Sequence, residues 1–182
     1  MNPATQQMTN HPPPIEAMAL RRVCGLFVTG VTVITTGVDG HAAGTTVNSF
    51  TSVSLDPPLV LFCLHRQSRL QEVLRSSGSF AVNFLAGRHE TVARAFAGRQ
   101  TAQFSDVAYH RCAVGVPVLT DALAYLACRI VDEFAGGDHT IVLGEVVELS
   151  APSRRQEPLI FFEGMFGALA EEYRAAHPIW DG

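Results

Sequence analysis

Residues 44–60 read GTTVNSFTSVSLDPPLV and carry the strongest indication of the fold. They are rich in β-branched and hydroxyl side chains, which favour strands, and they run into Asp56-Pro57-Pro58, which no central strand tolerates. We therefore predict a strand over residues 42–54 that ends at these prolines. The segment also has more short polar side chains than a core strand needs, which suits a flat ligand with a polar rim. A strand with one solvated face explains the same pattern, so the residues alone leave both interpretations open.

A second polar motif, GGDHT, occupies residues 136–140. Two glycines before Asp138 and His139 indicate a tight turn that leads into a strand. A lone histidine in a turn is usually structural or idle. An imidazole whose tautomer is fixed by a neighbouring aspartate also suits a hydrogen bond to a ligand.

The remaining pattern predicts short strands with short helices between them. Apolar spacing indicates helices over 15–27, 68–75 (with Ser68 as its cap) and 90–97, and an Asp-Gly pair indicates a hairpin turn at 38–41. Further strands are predicted over 31–36, 59–64, 80–85, 123–133, 140–149 and 159–162, and an irregular excursion over 101–115. Because no regular βαβ alternation appears, a closed or split antiparallel barrel fits better than a doubly wound sheet.

Composition narrows the class of protein further. The 182 residues fit one domain, predicted over 15–170, between a flexible N-terminal segment (1–14) and a C-terminal tail (171–182). A formal net charge of −4 argues against nucleic acid or an anionic membrane as partner. No signal peptide or membrane-spanning run is recognisable, so a cytoplasmic location is expected.

The four cysteines do not have the spacing of a metal site or of a disulfide framework. Cys24, Cys63, Cys112 and Cys128 form no C-x-x-C or Cys/His pattern. The first, second and fourth lie in apolar stretches, where a free cysteine behaves as a small buried hydrophobe. We therefore expect reduced thiols and no metal.

Several motifs in the same order along most of the chain make it resemble a known family. They are FVTGVTVITT (27–36), the 44–60 segment, FAVNFLA (80–86), GVPVLTDALAYLACRIV (115–131) and HTIVLGEVVEL (139–149). From about Leu20 to Leu169 the chain is similar to the short-chain flavin reductases, the small partners of two-component flavin-dependent monooxygenases. The resemblance implies a mainly β protein with short helices, the FMN-binding split β-barrel, and a homodimer with the flavin near the subunit interface.

For the flavin, FMN or FAD, the resemblance implies two clusters around the ring and its phosphate. The ring would lie along Thr46, Val47, Asn48, Ser49, Phe50, Ser52 and Val53, and the phosphate near Gln67, Ser68 and Arg69, with Arg99 and Gln100 closing over it. A helix start offers free N–H groups and Arg69 a positive charge, and both suit phosphate. The alternatives are an ordinary capped surface helix at Ser68 and a helix-ending Gly98 followed by a solvated Arg99.

For the nicotinamide cofactor, NADH or NADPH, the resemblance implies His139 and Phe166. Many relatives have a G-[KR]-Y pattern where this chain has Gly164-Met165-Phe166, so the ring is kept while the hydroxyl and the adjacent charge are absent. The choice between the two nicotinamide cofactors is therefore open. No catalytic side chain is implied, because the hydride passes between the two cofactors and the protein positions them.

The function that this resemblance implies is an NAD(P)H:flavin oxidoreductase that supplies reduced flavin to a separate monooxygenase. Two alternatives from other classes remain. One is a flavin-dependent oxidase or reductase with its own organic substrate, and the other is a non-catalytic flavin- or haem-binding protein on the same barrel. The GDHT motif favours the reductase, since a carrier needs no nicotinamide site.

Overall fold

The computed structural model describes residues 14–38, 40–97, 104–151 and 156–169. Its helices are α1 (Ala17–Gly25), α2 (Leu70–Ser77) and α3 (Glu90–Ala97). Its strands are β1 (Thr29–Gly30), β2 (Thr32–Val38), β3 (His41–Val47), β4 (Thr51–Leu55), β5 (Pro58–His65), β6 (Ser79–Phe84), β7 (Tyr109–Arg111), β8 (Pro117–Leu119), β9 (Ala124–Gly136), β10 (His139–Ser150), β11 (Ile160–Phe162) and β12 (Met165–Gly167). Short 3-10 turns occupy Gly87–His89 and Phe104–Asp106.

Seven antiparallel strands form a sheet in the order β3-β2-β6-β9-β10-β5-β4, with β3 and β4 at its opposite edges. If the sheet were flat, strands spaced about 4.8 Å apart would put these edges about 29 Å apart. Only residues 48–50 separate β3 from β4, so Val47 and Thr51 are at most about 14 Å apart. The sheet must therefore curl until its edges face each other. The result is a barrel that is split at this seam, and we call residues 48–50 the seam link.

Side chains of the strands and one face of α2 fill the barrel interior. Phe62 of β5 and Phe80 of β6 meet edge to face, with their ring centroids 5.0 Å apart. Helix α2 closes the interior with Leu70 and Leu74. The buried residues of this first core are Ile34, Val60, Phe62, Leu64, Leu70, Leu74, Phe80, Val82, Cys128 and Val142. Each large apolar side chain buried here contributes about 1.5–3 kcal/mol.

A second core lies outside the barrel wall, beneath α3 and the small sheet β1-β11-β12. Ile34 faces the barrel interior, whereas Val33 faces this outer core, so β2 is covered on both sides. The other buried members are Val31, Leu85, Ala93, Phe96, Leu119, Ala122 and Leu159. A strand covered on both faces explains why residues 31–36 are β-branched almost throughout and do not alternate between apolar and polar.

Most of the predicted elements are confirmed, with shifted ends. Helix α3 has the predicted bounds, and β2 and β3 form the predicted hairpin, in which Gly40 adopts a φ of +87°. Strands β5, β6, β9, β10 and β11 lie where strands were predicted, whereas α1 is shorter than expected. Helix α2 begins at Leu70 and not at Ser68, because the Ser68 side chain and carbonyl accept the N–H groups of Leu70 and Gln71 from outside the helix.

Two predictions about the strands are wrong. Residues 42–54 do not form one strand: β3 ends at Val47, and β4 pairs at the opposite edge of the sheet with β5. The excursion at 101–115 is not wholly irregular, because β7 pairs with β8 within its described part. The β7 side chains are all exposed, so this strand shows no alternation that would reveal it in the sequence.

All four cysteines are free, as expected, but Cys24 is exposed and not buried. It lies on α1, none of whose residues is buried. Cys112 and Cys128 are buried, and burial raises the pKa of the Cys128 thiol to about 12. No helix in the described ranges is long and apolar enough to span a membrane.

Candidate functional site

The seam link carries Asn48, Ser49 and Phe50, three of the residues predicted to bind the flavin. Ser49 Oγ donates a hydrogen bond to the Cys63 carbonyl (3.2 Å) and accepts one from the Cys63 N–H (3.0 Å). Phe50 packs edge to face on Phe84, with centroids 5.0 Å apart. The Ser49 bonds hold the link against β5, and the Phe50 contact holds it against β6. The Asn48 side chain is exposed and makes no hydrogen bond to another described residue.

On the β3 side of the link, the polar groups are used by the fold. Thr46 Oγ1 donates to the Ala93 carbonyl of α3 (2.7 Å), and Thr32 Oγ1 donates to the Val47 carbonyl (3.1 Å). Val47 also packs against the first core. The Thr46 and Val47 side chains therefore position the strand, and what they leave for a ligand is the edge of the main chain.

On the β4 side, Ser52 and Val53 are exposed at the sheet edge. The pairing with β5 is irregular between Ser52 and Ser54, so Val53 is the extra residue of a β-bulge. A bulge leaves main-chain groups out of the ladder, and bulges frequently occur next to binding sites. The Ser52 hydroxyl and the Asn48 amide are thus exposed polar side chains on either side of the seam.

Pairing between β5 and β10 brings the two predicted motifs together. His65, the last residue of β5, lies opposite His139, the first residue of β10. The Arg66 N–H donates to the Asp138 carbonyl (3.0 Å), which ties the turn after β5 to the GGDHT turn. The sequence separates these motifs by more than seventy residues, and the register places them side by side.

The predicted phosphate cluster lies in the turn between β5 and α2. Gln67 and Arg69 are exposed, and Ser68 is half-buried. The Ser68 N–H donates to the His65 carbonyl (2.8 Å), and the Ser68 hydroxyl accepts the Leu70 N–H (3.3 Å). Ser68 and Arg69 directly precede α2, and a hydroxyl beside an exposed guanidinium at a helix start is a combination that suits an anion.

At the GGDHT turn, His139 Nδ1 lies 2.7 Å from Asp138 Oδ1. The hydrogen bond with His139 holds the pKa of Asp138 below its ordinary value, so this carboxylate is ionised near neutral pH. The His139 ring meets the His65 ring edge to face, with centroids 5.2 Å apart. Thr140 Oγ1 is buried and lies 2.9 Å from the Gln71 amide of α2, which anchors the turn.

Strand β5 connects these parts of the candidate site. Ser49 is tied to Cys63, and His65 follows two residues later on the same side of the strand, roughly 7 Å away. The seam link, the Ser68 turn and the GGDHT turn therefore lie along one end of β5. His65 was not among the predicted site residues, and only the β5–β10 register reveals it.

Two groups of predicted residues lie elsewhere or outside the described ranges. Phe166 is half-buried in the second core, 5.5 Å from the Phe161 ring and under the Arg94 guanidinium (5.0 Å to the centroid). It lies on β12, in the small sheet, and no described contact joins it to His139. Arg99 and Gln100 lie outside the described residues.

The larger cleft does not coincide with this site. A cleft of about 590 Å³ is lined by Ala86, Gly87, Arg88, Glu90, Gln156, Glu157, Leu159, Gly167 and Ala168. A smaller one of about 170 Å³ lies beside His89 and Asp121. No predicted site residue lines either of these two clefts. The described residues also contain no cluster of three or more side chains suited to a metal ion.

The fold and the site together define a class of protein, a split β-barrel with a polar seam beside a pair of histidines, His65 and His139. The sequence lacks the G-x-G-x-x-G motif of a Rossmann domain. Comparison with known proteins identifies the family within this class. The chain belongs to the flavin reductase like domain family, whose model matches residues 24–170.

Individual relatives agree with this assignment. The chain is 36% identical over 159 residues to the reductase subunit HsaB of a flavin-dependent monooxygenase from Mycobacterium tuberculosis, covering 87% of this chain and 85% of that one. It is 41% identical over 172 residues to an NADH-dependent FAD reductase from Streptomyces globisporus, covering 90% and 93%.

Solved structures give the same result. The crystal structure of nitrilotriacetate monooxygenase component B from Mycobacterium thermoresistibile superposes with a TM-score of 0.84 at 37% identity, covering 90% of this chain and 92% of that one. The NADH:FAD oxidoreductase of Streptomyces globisporus, solved with NAD and FAD fragments, superposes with a TM-score of 0.80 at 41% identity, covering 85% and 93%. The expected fold is thereby confirmed.

Proposed function

We propose that this protein is an NADH-dependent flavin reductase that reduces FMN or FAD and supplies the reduced flavin to a separate monooxygenase. NADH gives a hydride to the flavin, a proton is taken from solvent, and NAD⁺ and reduced flavin leave. Family membership and the names of the relatives, which include NADH-dependent flavin reductases and monooxygenase reductase components, support this reaction. NADH is chosen over NADPH on the same ground.

The convergence of the seam link and the GGDHT turn on one end of β5 is the observation that carries the proposal. Hydride transfer needs two flat rings stacked in reach of each other, and the protein contributes their placement. A flavin along the seam would meet main-chain groups at Val47 and Val53 and the Asn48 amide. A nicotinamide beside His139 would then lie roughly 7 Å or less along β5 from the seam link.

In this proposal the flavin phosphate binds at the start of α2, and the seam holds the isoalloxazine ring. Ser68 and Arg69 suit a phosphate in donor type and charge, and neither makes a described ion pair that would compete. The groups available at the seam to bind a ligand are main-chain groups, short polar side chains and the Phe50 ring. This set fits a heteroaromatic ring that has an apolar edge and a polar edge.

A homodimer is part of the proposal. Helix α1 and the residues that follow it expose apolar side chains that no other described residue buries, among them Val23 (67% exposed) and Phe27 (76%). Apolar surface on this scale usually marks an interface, and twofold dimers are the commonest closed assembly.

The domain limits and the cellular location remain proposals as well. We place the reductase domain at residues 15–170, in agreement with the family match at 24–170. A cytoplasmic location is supported by four free thiols, since reducing compartments keep thiols free.

The test is NADH oxidation by the purified protein under anaerobic conditions, with and without added FMN, FAD or riboflavin. We expect consumption of NADH only when flavin is present, with one flavin bleached per NADH oxidised. NADH consumption that requires no flavin, or bound flavin that NADH does not reduce, would replace the proposal with one of the two alternative classes.

A further inference from the structure

Two histidines lie side by side in the candidate site, where β5 ends and β10 begins. His65 and His139 are register partners, and their rings meet edge to face with centroids 5.2 Å apart. His65 is exposed, and the His139 side chain is 41% exposed. Both rings are therefore accessible to a ligand.

The hydrogen bonds of His65 fix which of its ring nitrogens carries the proton. The Gln67 N–H donates to His65 Nδ1 at 3.1 Å. A nitrogen that accepts a hydrogen bond has its lone pair free, so in the neutral ring the proton lies on Nε2. His65 therefore offers an N–H donor at Nε2.

The opposite tautomer is fixed at His139. Asp138 is an ionised carboxylate that only accepts, and it lies 2.7 Å from His139 Nδ1, so this nitrogen carries the proton. In the neutral ring, Nε2 of His139 is then the acceptor. The two adjacent rings thus offer a donor and an acceptor.

A primary amide has the complementary pattern, because its carbonyl oxygen accepts and its NH₂ group donates. We propose that His65 and His139 together bind the nicotinamide carboxamide of the reductant. His65 Nε2–H donates to the carbonyl oxygen, and His139 Nε2 accepts from the amide nitrogen. In this arrangement one amide bridges the two rings through hydrogen bonds of about 3 Å each, and the centroid separation of 5.2 Å lies within the span of such a bridge. The inference rests on the proposed NADH-dependent activity and adds His65 as a residue that orients the nicotinamide ring.

Two other ligands fit less well. A pyrophosphate group only accepts hydrogen bonds, so it would require a proton on His139 Nε2 in addition to the one that Asp138 holds at Nδ1. The pyrimidine edge of a flavin has an N–H beside a carbonyl and matches the same pattern. The flavin is better served by the seam link, which lies further along β5.

The test pairs two variants with two reductants. NADH is compared with reduced 3-acetylpyridine adenine dinucleotide, which keeps the carbonyl group and replaces the NH₂ group by a methyl group. With NADH, we expect His65→Ala and His139→Ala each to raise the KM for the reductant about tenfold while kcat and the KM for flavin change less. With the acetylpyridine analogue, His65→Ala should still raise KM about tenfold, whereas His139→Ala should match the wild type.

His41→Ala is the matched control, since it removes an exposed histidine from the β2–β3 hairpin. It should change neither KM. If His139→Ala weakens both reductants equally, the pair binds a phosphate. If these variants raise the KM for flavin and not the KM for NADH, the histidine pair binds the flavin. If His65→Ala changes nothing, His65 has no role, and each of these results overturns the inference. A wild-type protein that shows no flavin-dependent NADH oxidation would instead refute the proposed function.

Discussion

Two neighbouring side chains in the seam link differ in role, because one stabilises the fold and the other is available to a ligand. Ser49 exchanges two hydrogen bonds with the Cys63 main chain, whereas the adjacent Asn48 is exposed and free of described partners. The hydroxyl of Thr46, earlier on β3, likewise donates its hydrogen bond to α3. The hydroxyl-rich segment therefore consists partly of residues that close the barrel and partly of residues that face a ligand.

Replacing these neighbours one at a time should separate stability from binding. Ser49→Ala leaves the Cys63 N–H and carbonyl without partners, so we expect a loss of about 1–3 kcal/mol in the free energy of unfolding. Asn48→Ala should change that free energy by less than about 0.5 kcal/mol and weaken flavin binding several-fold. Urea unfolding and flavin titration measure both quantities. A destabilised Asn48→Ala protein with unchanged flavin affinity would reverse the assignment.

Gly144 on β10 is a second residue whose role is set by its neighbours. A Cβ atom at this position would lie 2.5 Å from Phe80 Cζ and 3.1 Å from Cys128 Cβ. Phe80 and Cys128 are both fully buried, so an added methyl group would have to displace packed core side chains. We expect Gly144→Ala to lower the free energy of unfolding by about 1–3 kcal/mol.

The control for this change is Gly30→Ala, because a Cβ atom at Gly30 meets nothing within 4 Å. Its effect should be smaller than about 0.5 kcal/mol in the same denaturation experiment. Equal losses in the two variants would mean that packing against Phe80 does not decide the outcome.

At the scale of elements, the β7–β8 hairpin is attached to the barrel by polar side chains as well as by its apolar core. The buried Asn83 amide donates to the Val33 carbonyl and to Thr35 Oγ1, both at 2.9 Å, and Asn83 Oδ1 accepts the Leu119 N–H at 2.8 Å. On the other side, Glu148 accepts the Tyr125 hydroxyl (2.6 Å) and the Ala113 N–H (2.7 Å). The Asn83 bonds satisfy buried groups that would otherwise be costly to leave unpaired, whereas the Glu148 bonds lie nearer the surface.

The Glu148 contacts predict a dependence of stability on pH. The Tyr125 hydroxyl, and then the Ala113 N–H, hold the pKa of Glu148 below its ordinary value. A carboxyl with a lowered folded pKa stabilises the protein above its unfolded pKa, and this contribution is lost as the pH falls through the folded pKa. The difference in free energy of unfolding between wild type and Glu148→Gln should therefore be constant near pH 6 and shrink below about pH 4.

Tyr125→Phe is the matched variant for this experiment, since it removes only the hydroxyl. The same hydrogen bond raises the pKa of Tyr125 to about 12, so the tyrosine stays protonated at neutral and acid pH and adds no slope there. The difference in free energy of unfolding between this variant and wild type should also shrink below about pH 4, because the Glu148 carboxylate then becomes protonated. Differences that do not change with pH would mean that Glu148 acts through packing and not through charge.

Local sequence signals predicted where individual helices and strands lie better than they predicted which strands pair with each other. The Asp-Gly pair predicted the β2–β3 hairpin, and the apolar spacing of residues 90–97 predicted α3, because both depend on nearby residues. The break at Asn48 was missed, since it follows from β3 and β4 pairing at opposite edges of the sheet. The same limitation applied to the site: GGDHT was recognised, and His65 was not, because only the β5–β10 register makes it a neighbour of His139.

At the scale of the whole molecule, α1 is the feature that a single subunit does not explain. None of its residues is buried, yet it carries Met18, Leu20 and Val23, all more than half exposed. Its attachment to the rest of the chain includes a hydrogen bond from the Glu163 N–H to the Gly25 carbonyl (2.9 Å). A helix of this length is marginal alone, so an apolar partner would stabilise it.

We expect the protein to have the mass of a dimer at micromolar concentration and Val23→Asp to shift it towards the monomer. Burying a carboxylate in an apolar interface costs several kcal/mol, enough to raise the dissociation constant at least a hundredfold. Leu55→Asp, at a position 90% exposed on β4, is the comparison. Sedimentation of the three proteins decides between outcomes: a wild-type monomer, or a dimer broken only by Leu55→Asp, would contradict an α1 interface.

The strand order also determines when the barrel can be completed during synthesis. β2 pairs with β3 and β6, and β5 pairs with β4, so the earlier strands form two separate sheets that share no ladder. Among the described strands, it is the β9–β10 hairpin that joins them, since β9 pairs with β6 and β10 with β5. A nascent chain on the ribosome therefore exposes the unpaired edges of β5 and β6 until β9 and β10 have emerged, and open edges of this kind are the ones that pair wrongly with other chains.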